Sequence, residues 1–258
     1  MKKNYVVNGA AHAGFGETTA RLLIEKGHKV YGLYEKEDQK NANALLEEFS
    51  PDSLELLCID STDLLALKEI VNTIPAPLDG FVNACFMYDM DDLDNFDFSL
   101  AEKLFRANYH APILIAAQLK KKMNKDSSIV IVSSTESERG SYGGLSYAAT
   151  KAAISNAVKS LACNWGKQEK IRVNAVAAGW IGGEMDTDGP FAVSIDITPL
   201  GRLGKADEVA NVVYFLLSDA SSFINAQTIM VDGGYLAVDD IAKYEYEEAL
   251  KEKAGESK

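Results

Sequence analysis

A glycine-rich loop joins the first strand candidate to the first helical pattern in the stretch Tyr5-Val6-Val7-Asn8-Gly9-Ala10-Ala11-His12-Ala13-Gly14-Phe15-Gly16. Glycines in such a loop permit a tight turn and a close approach to a ligand, and the N-terminus of the following helix offers free N–H groups to a pyrophosphate. The loop is not that of a P-loop NTPase, because Phe15 follows Gly14 where a phosphate-binding lysine is required. Glycines also serve ordinary turns, but the order of strand, loop and helix favours nucleotide binding.

Short apolar runs alternate with amphipathic helical patterns along the rest of the chain. Most of these runs lack the period-two alternation of half-exposed strands, as expected for strands buried on both faces of a parallel sheet. The strand candidates are Tyr5–Val7, Lys29–Tyr34, Leu54–Ile59, Gly80–Asn83, Ser128–Ser133, Arg172–Ala175 and Thr228–Val231, and the helical patterns lie near 16–26, 38–48, 62–73, 99–122, 146–166 and 206–218. This succession predicts an α/β fold for residues 1–258: a single-domain, doubly wound, Rossmann-like sheet of about seven parallel strands with helices on both faces.

The composition excludes several classes of protein. With 258 residues, 47% of them apolar and 25% charged, the chain is not generally disordered. Its net charge of −12 disfavours nucleic acids and anionic membranes as partners, and no apolar run approaches the ~18 residues of a membrane span. The three cysteines, Cys58, Cys85 and Cys163, fit neither a disulfide framework nor metal-ligand spacing, and the first residues do not resemble a signal peptide. We therefore expect a cytoplasmic protein that needs no metal.

A tyrosine and a lysine four residues apart mark the most reactive part of the sequence. Tyr147 and Lys151 fall near the start of a helical pattern, so they share one face of it. An ammonium beside a phenol favours the phenolate, so we expect Lys151 to lower the pKa of the Tyr147 phenol. Ser134 directly follows a strand candidate and can donate a hydrogen bond to a substrate oxygen. Taken alone, a tyrosine and a lysine at this spacing would be an ordinary surface pair.

These motifs occur in order with several others, and together they resemble the short-chain dehydrogenase/reductase family over nearly the whole chain. The matching segments are the glycine loop at 9–16, Asp60, Val82-Asn83-Ala84, Asn108, Ser134, Tyr147, Lys151, Arg172-Val173-Asn174-Ala175-Val176 with Ala178-Gly179, Pro199-Leu200-Gly201-Arg202 and Val231-Asp232-Gly233-Gly234. The resemblance implies an NAD- or NADP-dependent oxidoreductase that interconverts an alcohol and a ketone or aldehyde on a small or medium organic substrate.

The resemblance also implies four catalytic residues. Tyr147 would transfer the proton to or from the substrate oxygen, and Ser134 would hold and polarise that oxygen. Lys151 would bind the nicotinamide ribose and tune Tyr147, and Asn108 would hold a proton-relay water through its main-chain carbonyl. Pro112 supplies a physical reason for the last role, because a proline four residues on has no N–H to donate to that carbonyl. Pro112 alternatively does no more than bend the helix.

The cofactor-binding residues implied by the resemblance are Gly9, Gly14, Phe15, Gly16, Tyr34, Glu35, Asp60, Ser61, Asn83, Ala84, Tyr147, Lys151, Gly179 and Ile181. The sequence departs from the family pattern in four places. Four residues rather than three separate Gly9 from Gly14, and Cys85 replaces the usual glycine after the fourth strand. Ala178 replaces the usual proline before Gly179, and Gly183 replaces an expected hydroxyl residue.

The end of the second strand candidate bears on the choice between NAD and NADP. The position that is usually acidic in NAD-users aligns with Tyr34, and the next position, often basic in NADP-users, is Glu35. A carboxylate ~5 Å from a 2′-phosphate costs on the order of 3 kcal/mol at an effective dielectric constant near 20. We therefore predict a preference for NAD, although Lys36 could still reach a phosphate. His12, at the tip of the enlarged glycine loop, either contacts the adenosine ribose or is simply solvated.

The substrate, assembly and C-terminal tail are less clearly indicated. Five aspartates between residues 89 and 97 suggest a solvated loop before a helix capped at Ser99, and this loop would disfavour acidic substrates. Met87, Tyr142 and Trp180 are candidate pocket residues. By family resemblance we expect a homotetramer or homodimer. The tail, residues 235–258, either packs on a neighbouring subunit or frays.

Two rival functions remain open on this evidence. The altered glycine loop and Cys85 suggest a non-catalytic nucleotide-binding regulatory or scaffold protein on the same fold, against which the four intact catalytic positions argue. A methyltransferase on another glycine-loop sheet would have no use for the arrangement of Ser134, Tyr147 and Lys151.

Overall fold

The computed structural model describes residues 2–182 and 190–254. Its strands are β1 (Asn4–Asn8), β2 (Lys29–Glu35), β3 (Leu54–Ile59), β4 (Leu78–Asn83), β5 (Met123–Ser134), β6 (Arg172–Ala178) and β7 (Thr228–Val231). They form one sheet in the order β3-β2-β1-β4-β5-β6-β7, and every neighbouring pair is parallel. The predicted seven-stranded, doubly wound fold is confirmed.

Helices connect the strands. They are α1 (Phe15–Glu25), α2 (Gln39–Glu48), α3 (Leu64–Thr73), α4 (Phe98–Phe105), α5 (Ala111–Leu119), α6 (Leu145–Glu169), α7 (Pro190–Ile197), α8 (Ala206–Leu217) and α9 (Asp240–Ala254). In the described part of the chain, no helix is both long enough and apolar enough to cross a bilayer.

The strand order reverses at β1, which lies between β2 and β4. Asn8 at the end of β1 is in register with Leu33 of β2 on one side and with Asn83 of β4 on the other. Ligands of such sheets bind beyond the carboxyl ends of the strands at this switch point. The glycine loop, the end of β4 and the end of β5 therefore meet at one edge of the sheet.

A separate apolar core covers each face of the sheet. On one face, Leu23 of α1 and Val213 of α8 pack over Val7 and Val82. On the other face, Ile115 of α5 and Val158 of α6 are fully buried against the strands, together with Leu67 of α3. These two layers hold the strands rigidly, so the residues that follow them are placed accurately at the edge.

The structure corrects the sequence-based element bounds in three places. The helical pattern at 99–122 is two helices, α4 and α5, joined by a π-helical turn at Arg106–His110, which ends two residues before Pro112. α4 is capped by Asp97, whose carboxylate accepts hydrogen bonds from the N–H groups of Ser99 and Leu100, so the predicted cap at Ser99 is two residues too late. Helix α7 was not predicted, whereas α9 corresponds to the Glu/Lys-rich helical segment of the tail.

Candidate active site

The shape of the glycine loop depends on two close backbone contacts, one with Leu33 of β2 and one between Gly9 and Gly16. The N–H groups of Gly9 and Ala10 both donate to the carbonyl of Leu33, at 2.9 and 3.0 Å. A Cβ on Gly16 would lie 1.9 Å from the carbonyl oxygen of Gly9, so no other residue fits at Gly16. Gly14 has φ 108°, a backbone conformation that favours glycine, and α1 begins directly after it. The loop therefore presents the N-terminus of α1 at the switch point, although it is one residue longer than the family pattern.

Tyr147, Lys151 and Ser134 come together beside this loop. Tyr147 and Lys151 lie on the first turns of α6 and are both buried. The Lys151 ammonium lies 5.4 Å from the centre of the Tyr147 ring and donates to the carbonyl of Val132 at 3.3 Å. Ser134 ends β5, and its side chain lowers the pKa of the Tyr147 phenol, against the effect of burial.

Burial dominates the ionisation of this pair. It raises the pKa of Tyr147 to about 12, against the hydrogen bond from Ser134, while Glu136 and Tyr88 raise it further. Burial also lowers the pKa of Lys151 to about 8. The predicted lowering of the Tyr147 pKa is not found in the chain without its cofactor, because desolvation of the phenolate dominates. Tyr147 is therefore a protonated phenol at neutral pH.

Asn108 lies in the π-helical turn and is buried. Its side-chain oxygen accepts from the N–H of Met87 at 2.7 Å, and its amide donates to the Met87 carbonyl at 2.8 Å and to the Thr150 hydroxyl at 3.2 Å. These bonds tie the segment after β4 to α6, close to Tyr147. The Asn108 side chain is thus a positioning group, and its main-chain carbonyl lies in a helix interrupted by Pro112.

Asn83, Ala84 and Cys85 follow β4 and contact the glycine loop. Asn83 accepts a hydrogen bond from the Asn8 amide at 2.7 Å and donates to the Cys85 carbonyl at 3.2 Å. A Cβ on Gly9 would lie 2.9 Å from the Cys85 nitrogen and 3.1 Å from the carbonyl carbon of Ala84. Burial raises the pKa of the Cys85 thiol to about 12, so this cysteine is not a thiolate.

The predicted adenosine-side residues are engaged with one another. Glu35 accepts hydrogen bonds from the N–H and the hydroxyl of Ser61, at 3.1 and 2.5 Å, and burial raises the pKa of Glu35. Asp60 accepts from the N–H and hydroxyl of Thr62, and these bonds lower the pKa of Asp60. The Tyr34 hydroxyl donates to Gln39 at 3.0 Å. Glu35 thus contacts Ser61, and its carboxylate lies close to the end of β2.

His12 is not a free surface side chain. Its Nδ1 lies 3.3 Å from both carboxylate oxygens of Asp38, and its ring meets the edge of the Phe86 ring with centres 5.9 Å apart. The enlarged loop therefore reaches across to the segment after β2. Sequence reasoning missed Asp38, because only the fold brings it to the loop.

The segment after β6 completes the edge of the sheet. Gly179 donates to the Val231 carbonyl at 3.0 Å, and a Cβ there would lie 2.7 Å from that of Asp232. Ile181 pairs with Gly204 in an isolated parallel bridge. Gly183 lies outside the described residues. Of the candidate pocket residues, Trp180 packs edge-on against Phe191 and Tyr235, whereas Tyr142 is fully exposed.

Phe86 was not among the predicted site residues, although the structure places it at the centre of this region. Its ring lies 6.2 Å from that of Phe15 and 6.3 Å from that of Tyr147, and the Lys151 ammonium lies 5.1 Å from its centre. Its ring also contacts that of His12, so Phe86 lies between the glycine loop and the pair formed by Tyr147 and Lys151. The signal in the sequence was only its position, directly after the unusual Cys85.

Comparisons with known proteins agree with this geometry. The sequence model of the family described as Enoyl-(Acyl carrier protein) reductase matches residues 9–236. The 3-oxoacyl-[acyl-carrier-protein] reductase of Thermotoga maritima is 32% identical over 89% of this chain and 96% of its own. The gluconate 5-dehydrogenase of Gluconobacter oxydans is 29% identical over 89% of this chain and 93% of its own. The crystal structure of BdcA in complex with NADPH is 25% identical, has a TM-score of 0.82 and covers 90% of this chain and 93% of its own.

A doubly wound parallel sheet with a glycine loop and a buried tyrosine–lysine pair at its switch point defines a nicotinamide-dependent oxidoreductase of the Rossmann type. The particular family follows from the matches: the chain belongs to the short-chain dehydrogenase/reductase family. The resemblance found in the sequence is confirmed.

The residues present fit a nicotinamide dinucleotide, with one adjustment. The close contact of Gly16 with Gly9 leaves a backbone cradle before α1, and Lys151 supplies a buried ammonium for a ribose. The Lys151 ammonium, however, lies 5.1 Å from the centre of the Phe86 ring. We therefore expect this ring to rotate away when a cofactor binds.

Replacing Phe86 with alanine is expected to tighten the binding of NADH and NADPH by several-fold, because the ring no longer has to leave Lys151. Titration followed by nicotinamide fluorescence measures both dissociation constants. Phe96→Ala, which removes a ring from the loop before α4, is the matched control and should change neither value. Weaker binding in Phe86→Ala would mean that the ring stacks on the cofactor instead of obstructing it.

Proposed function

We propose that this protein interconverts an alcohol and a ketone or aldehyde on a small or medium organic substrate, with NAD or NADP as the hydride carrier. The observation that supports the proposal most strongly is the buried Tyr147 phenol, which interacts with Ser134 and lies beside the Lys151 ammonium. A proton donor, an oxygen-binding hydroxyl and a buried cation thus lie side by side beyond a nucleotide-binding loop.

The proposed mechanism follows from the charges of these groups. The bound nicotinamide would supply or accept the hydride at the substrate carbon. In reduction, Tyr147 donates its proton to the substrate oxygen, which the Ser134 hydroxyl also binds. A phenol with a pKa of about 12 is fully protonated at neutral pH, so the free site is ready to give a proton. In oxidation, Tyr147 must take up the proton, and the Lys151 ammonium stabilises the phenolate that this requires.

We propose that Asn108 helps to return a proton to Tyr147 after Tyr147 has donated one. Its side chain is used in holding Met87 and Thr150, so the group that we propose for the water is its main-chain carbonyl. Pro112 cannot donate to that carbonyl. The proton lost by Tyr147 would then return through a water held there.

The choice between NAD and NADP depends on carboxylates at the end of β2. Two structural neighbours are titled as complexes with NADPH, and these do not support the predicted preference for NAD. In this chain Glu35 and Asp38 nevertheless bring negative charge to the region where the sequence places the adenosine ribose. We therefore propose that the chain accepts a nicotinamide dinucleotide and that Glu35 sets the ratio of the two affinities.

Glu35→Gln is expected to lower the dissociation constant of NADPH up to about tenfold and that of NADH much less, because it removes one charge near a 2′-phosphate. Glu37→Gln, an exposed neighbour on the same segment, is the control. Titrations at two salt concentrations provide the measurement, since an electrostatic effect shrinks as salt rises. Equal changes for both cofactors would show that Glu35 does not face the 2′-position.

The charge of the chain bears on its substrate class. The names of two relatives refer to a 3-oxoacyl-[acyl-carrier-protein] and to gluconate. A chain with a net charge of −12 is poorly suited to an acidic protein-borne substrate, so we propose a free small molecule. By family membership we also propose a cytoplasmic homotetramer or homodimer. The C-terminal tail also contacts its own chain, because the Lys243 ammonium in α9 donates to the main-chain carbonyl of Asp196 in α7 at 2.7 Å.

A second candidate function is a non-catalytic nucleotide-binding regulator. The observation that favours it is the Phe86 ring over Lys151, together with Cys85 in a position where the family pattern has glycine. A panel of carbonyl compounds and alcohols, assayed by nicotinamide absorbance, separates the two functions. Turnover supports the enzyme, whereas tight cofactor binding without turnover of any compound supports the regulator.

A further inference from the structure

Asp91 caps the start of α6, the helix that carries Tyr147, although it lies in a different segment of the chain. Its Oδ2 accepts a hydrogen bond from the N–H of Ser146 at 2.8 Å, and its Oδ1 accepts one from the Ser146 hydroxyl at 2.6 Å. The N–H of Asp91 donates to the carbonyl of Gly143 at 2.8 Å. The first N–H groups of a helix need partners from outside it, and the N-cap residue of α6 is Gly144, which has no side chain to supply one. Asp91 therefore supplies this acceptor from the segment after β4.

The same segment after β4 also holds the main chain of Tyr147. The Tyr147 carbonyl accepts a hydrogen bond from the Thr150 hydroxyl at 2.7 Å. The Asn108 amide donates to that hydroxyl at 3.2 Å and to the Met87 carbonyl at 2.8 Å. Hydrogen bonds thus connect the segment to Tyr147 itself through Met87 and to the residue before it through Asp91. The start of α6 is therefore attached to this segment at two points.

Asp91 belongs to a closely packed contact rather than to a solvated loop. The sequence predicts a solvated loop for the five aspartates between residues 89 and 97, and four of them are exposed, whereas Asp91 is half-buried. The neighbouring Met90 packs against Gly143, where an added Cβ would lie 2.7 Å from the Met90 methyl carbon. The segment that carries Asp91 therefore touches the loop before α6 by packing as well as by hydrogen bonds.

The position of Tyr147 makes this cap relevant to the reaction. Tyr147 is the third residue of α6, and helix ends fray more readily than helix interiors. Proton transfer requires the donor and acceptor atoms to lie within about 2.6–3.2 Å of each other. A misplacement of about 1 Å can cost on the order of 10²-fold in rate. A proton donor in the first turn of a helix therefore depends on whatever fixes that turn.

We propose that Asp91 is a positioning residue for the proton donor: its carboxylate fixes the first turn of α6 and thereby places the Tyr147 phenol at the substrate oxygen. This inference rests on the proposed function. Asp91 acts through its two hydrogen bonds to Ser146, and asparagine can form both of them. The asparagine oxygen accepts from the Ser146 N–H, and the asparagine amide donates to the Ser146 hydroxyl oxygen.

Asp91→Ala is expected to lower kcat by about ten- to a hundredfold, because α6 then begins without its cap. The dissociation constant of the cofactor should change by less than about twofold, since Lys151 lies one turn further along the helix. Asp91→Asn should keep kcat within about threefold of the wild type. Steady-state kinetics and a nicotinamide fluorescence titration of each variant measure these values.

A double-mutant cycle shows whether the effect passes through Ser146. Ser146→Ala removes the hydroxyl and keeps the N–H, so it should lower kcat less than Asp91→Ala does. Because the hydroxyl donates to Asp91, Ser146→Ala should change kcat by less than about twofold when residue 91 is already alanine. Additive losses from the two substitutions would contradict the inference.

Asp94→Ala is the matched control, because Asp94 is exposed on the same loop and its replacement should leave kcat unchanged. Circular dichroism confirms that each variant is folded, and Asp91→Asn and Ser146→Ala serve if Asp91→Ala is not. An unchanged kcat in Asp91→Ala, or an equal loss in Asp91→Asn, overturns the inference and leaves the proposed function standing. Absence of turnover by the wild type, with the cofactor bound, contradicts the proposed function and the inference with it.

Discussion

Tyr147→Phe is expected to lower kcat by roughly 10²–10⁴-fold, the usual contribution of a positioned general acid. The substitution removes the phenolic O–H and keeps the buried ring, which packs edge-on against Tyr88 at 5.1 Å between centres. Cofactor affinity should change by less than about twofold, since the ring that lines the site remains. Steady-state kinetics together with a fluorescence titration separate these two effects.

Tyr88→Phe is the matched control for this experiment. Tyr88 touches Tyr147 but is half-exposed and has no hydrogen bond to Ser134 among the described contacts. It should retain turnover within a few-fold of the wild type. If Tyr147→Phe were equally active, Tyr147 would not be the proton donor.

Lys151→Met is expected to abolish turnover, weaken cofactor binding and stabilise the fold. The lysine is 3% exposed, and burial lowers its pKa from 10.5 to about 8. A shift of this size corresponds to about 3 kcal/mol of unfolding free energy that the wild type loses at pH 7 by burying the cation. Methionine fills nearly the same volume without a charge, so the variant should recover most of this amount.

The pH dependence of the unfolding free energy tests whether burial of the Lys151 ammonium destabilises the fold. Below pH 8 the folded and unfolded chains both carry the proton, and the wild type bears the full burial cost. Between about pH 8 and 10.5 only the unfolded chain retains the proton, so wild-type stability rises relative to the variant as pH increases. Urea unfolding of both proteins across this range measures the difference. A difference independent of pH would contradict the burial argument, and Lys159→Met, exposed on the same helix, should show none.

Much of the fold could be predicted from the sequence because its signals are local. Buried parallel strands are continuous apolar runs, and the glycines of the loop after β1 indicate a turn. The residues placed at the ends of β1, β4 and β5 by these signals are the ones that the structure brings together. The break between α4 and α5 could be predicted only in part. Pro112 indicates that the helical pattern is interrupted, but it does not show that the interruption is a π-helical turn.

The parts that could not be predicted depend on contacts between distant segments. Nothing in the sequence around residue 86 shows that its ring reaches both His12 and Lys151. The predicted lowering of the Tyr147 pKa does not appear in the structure, because the spacing of Tyr147 and Lys151 indicates their proximity but not their burial.

The most direct test of the central claim is deuterium transfer from a cofactor labelled at the hydride-carrying carbon. The protein would be incubated with labelled NADH or NADPH and a panel of ketones and aldehydes, and the products analysed by mass spectrometry. The account predicts an alcohol that carries one deuterium on its carbinol carbon, formed by the wild type and lost in Tyr147→Phe. A protein that binds the labelled cofactor but yields no labelled alcohol from any compound would contradict it.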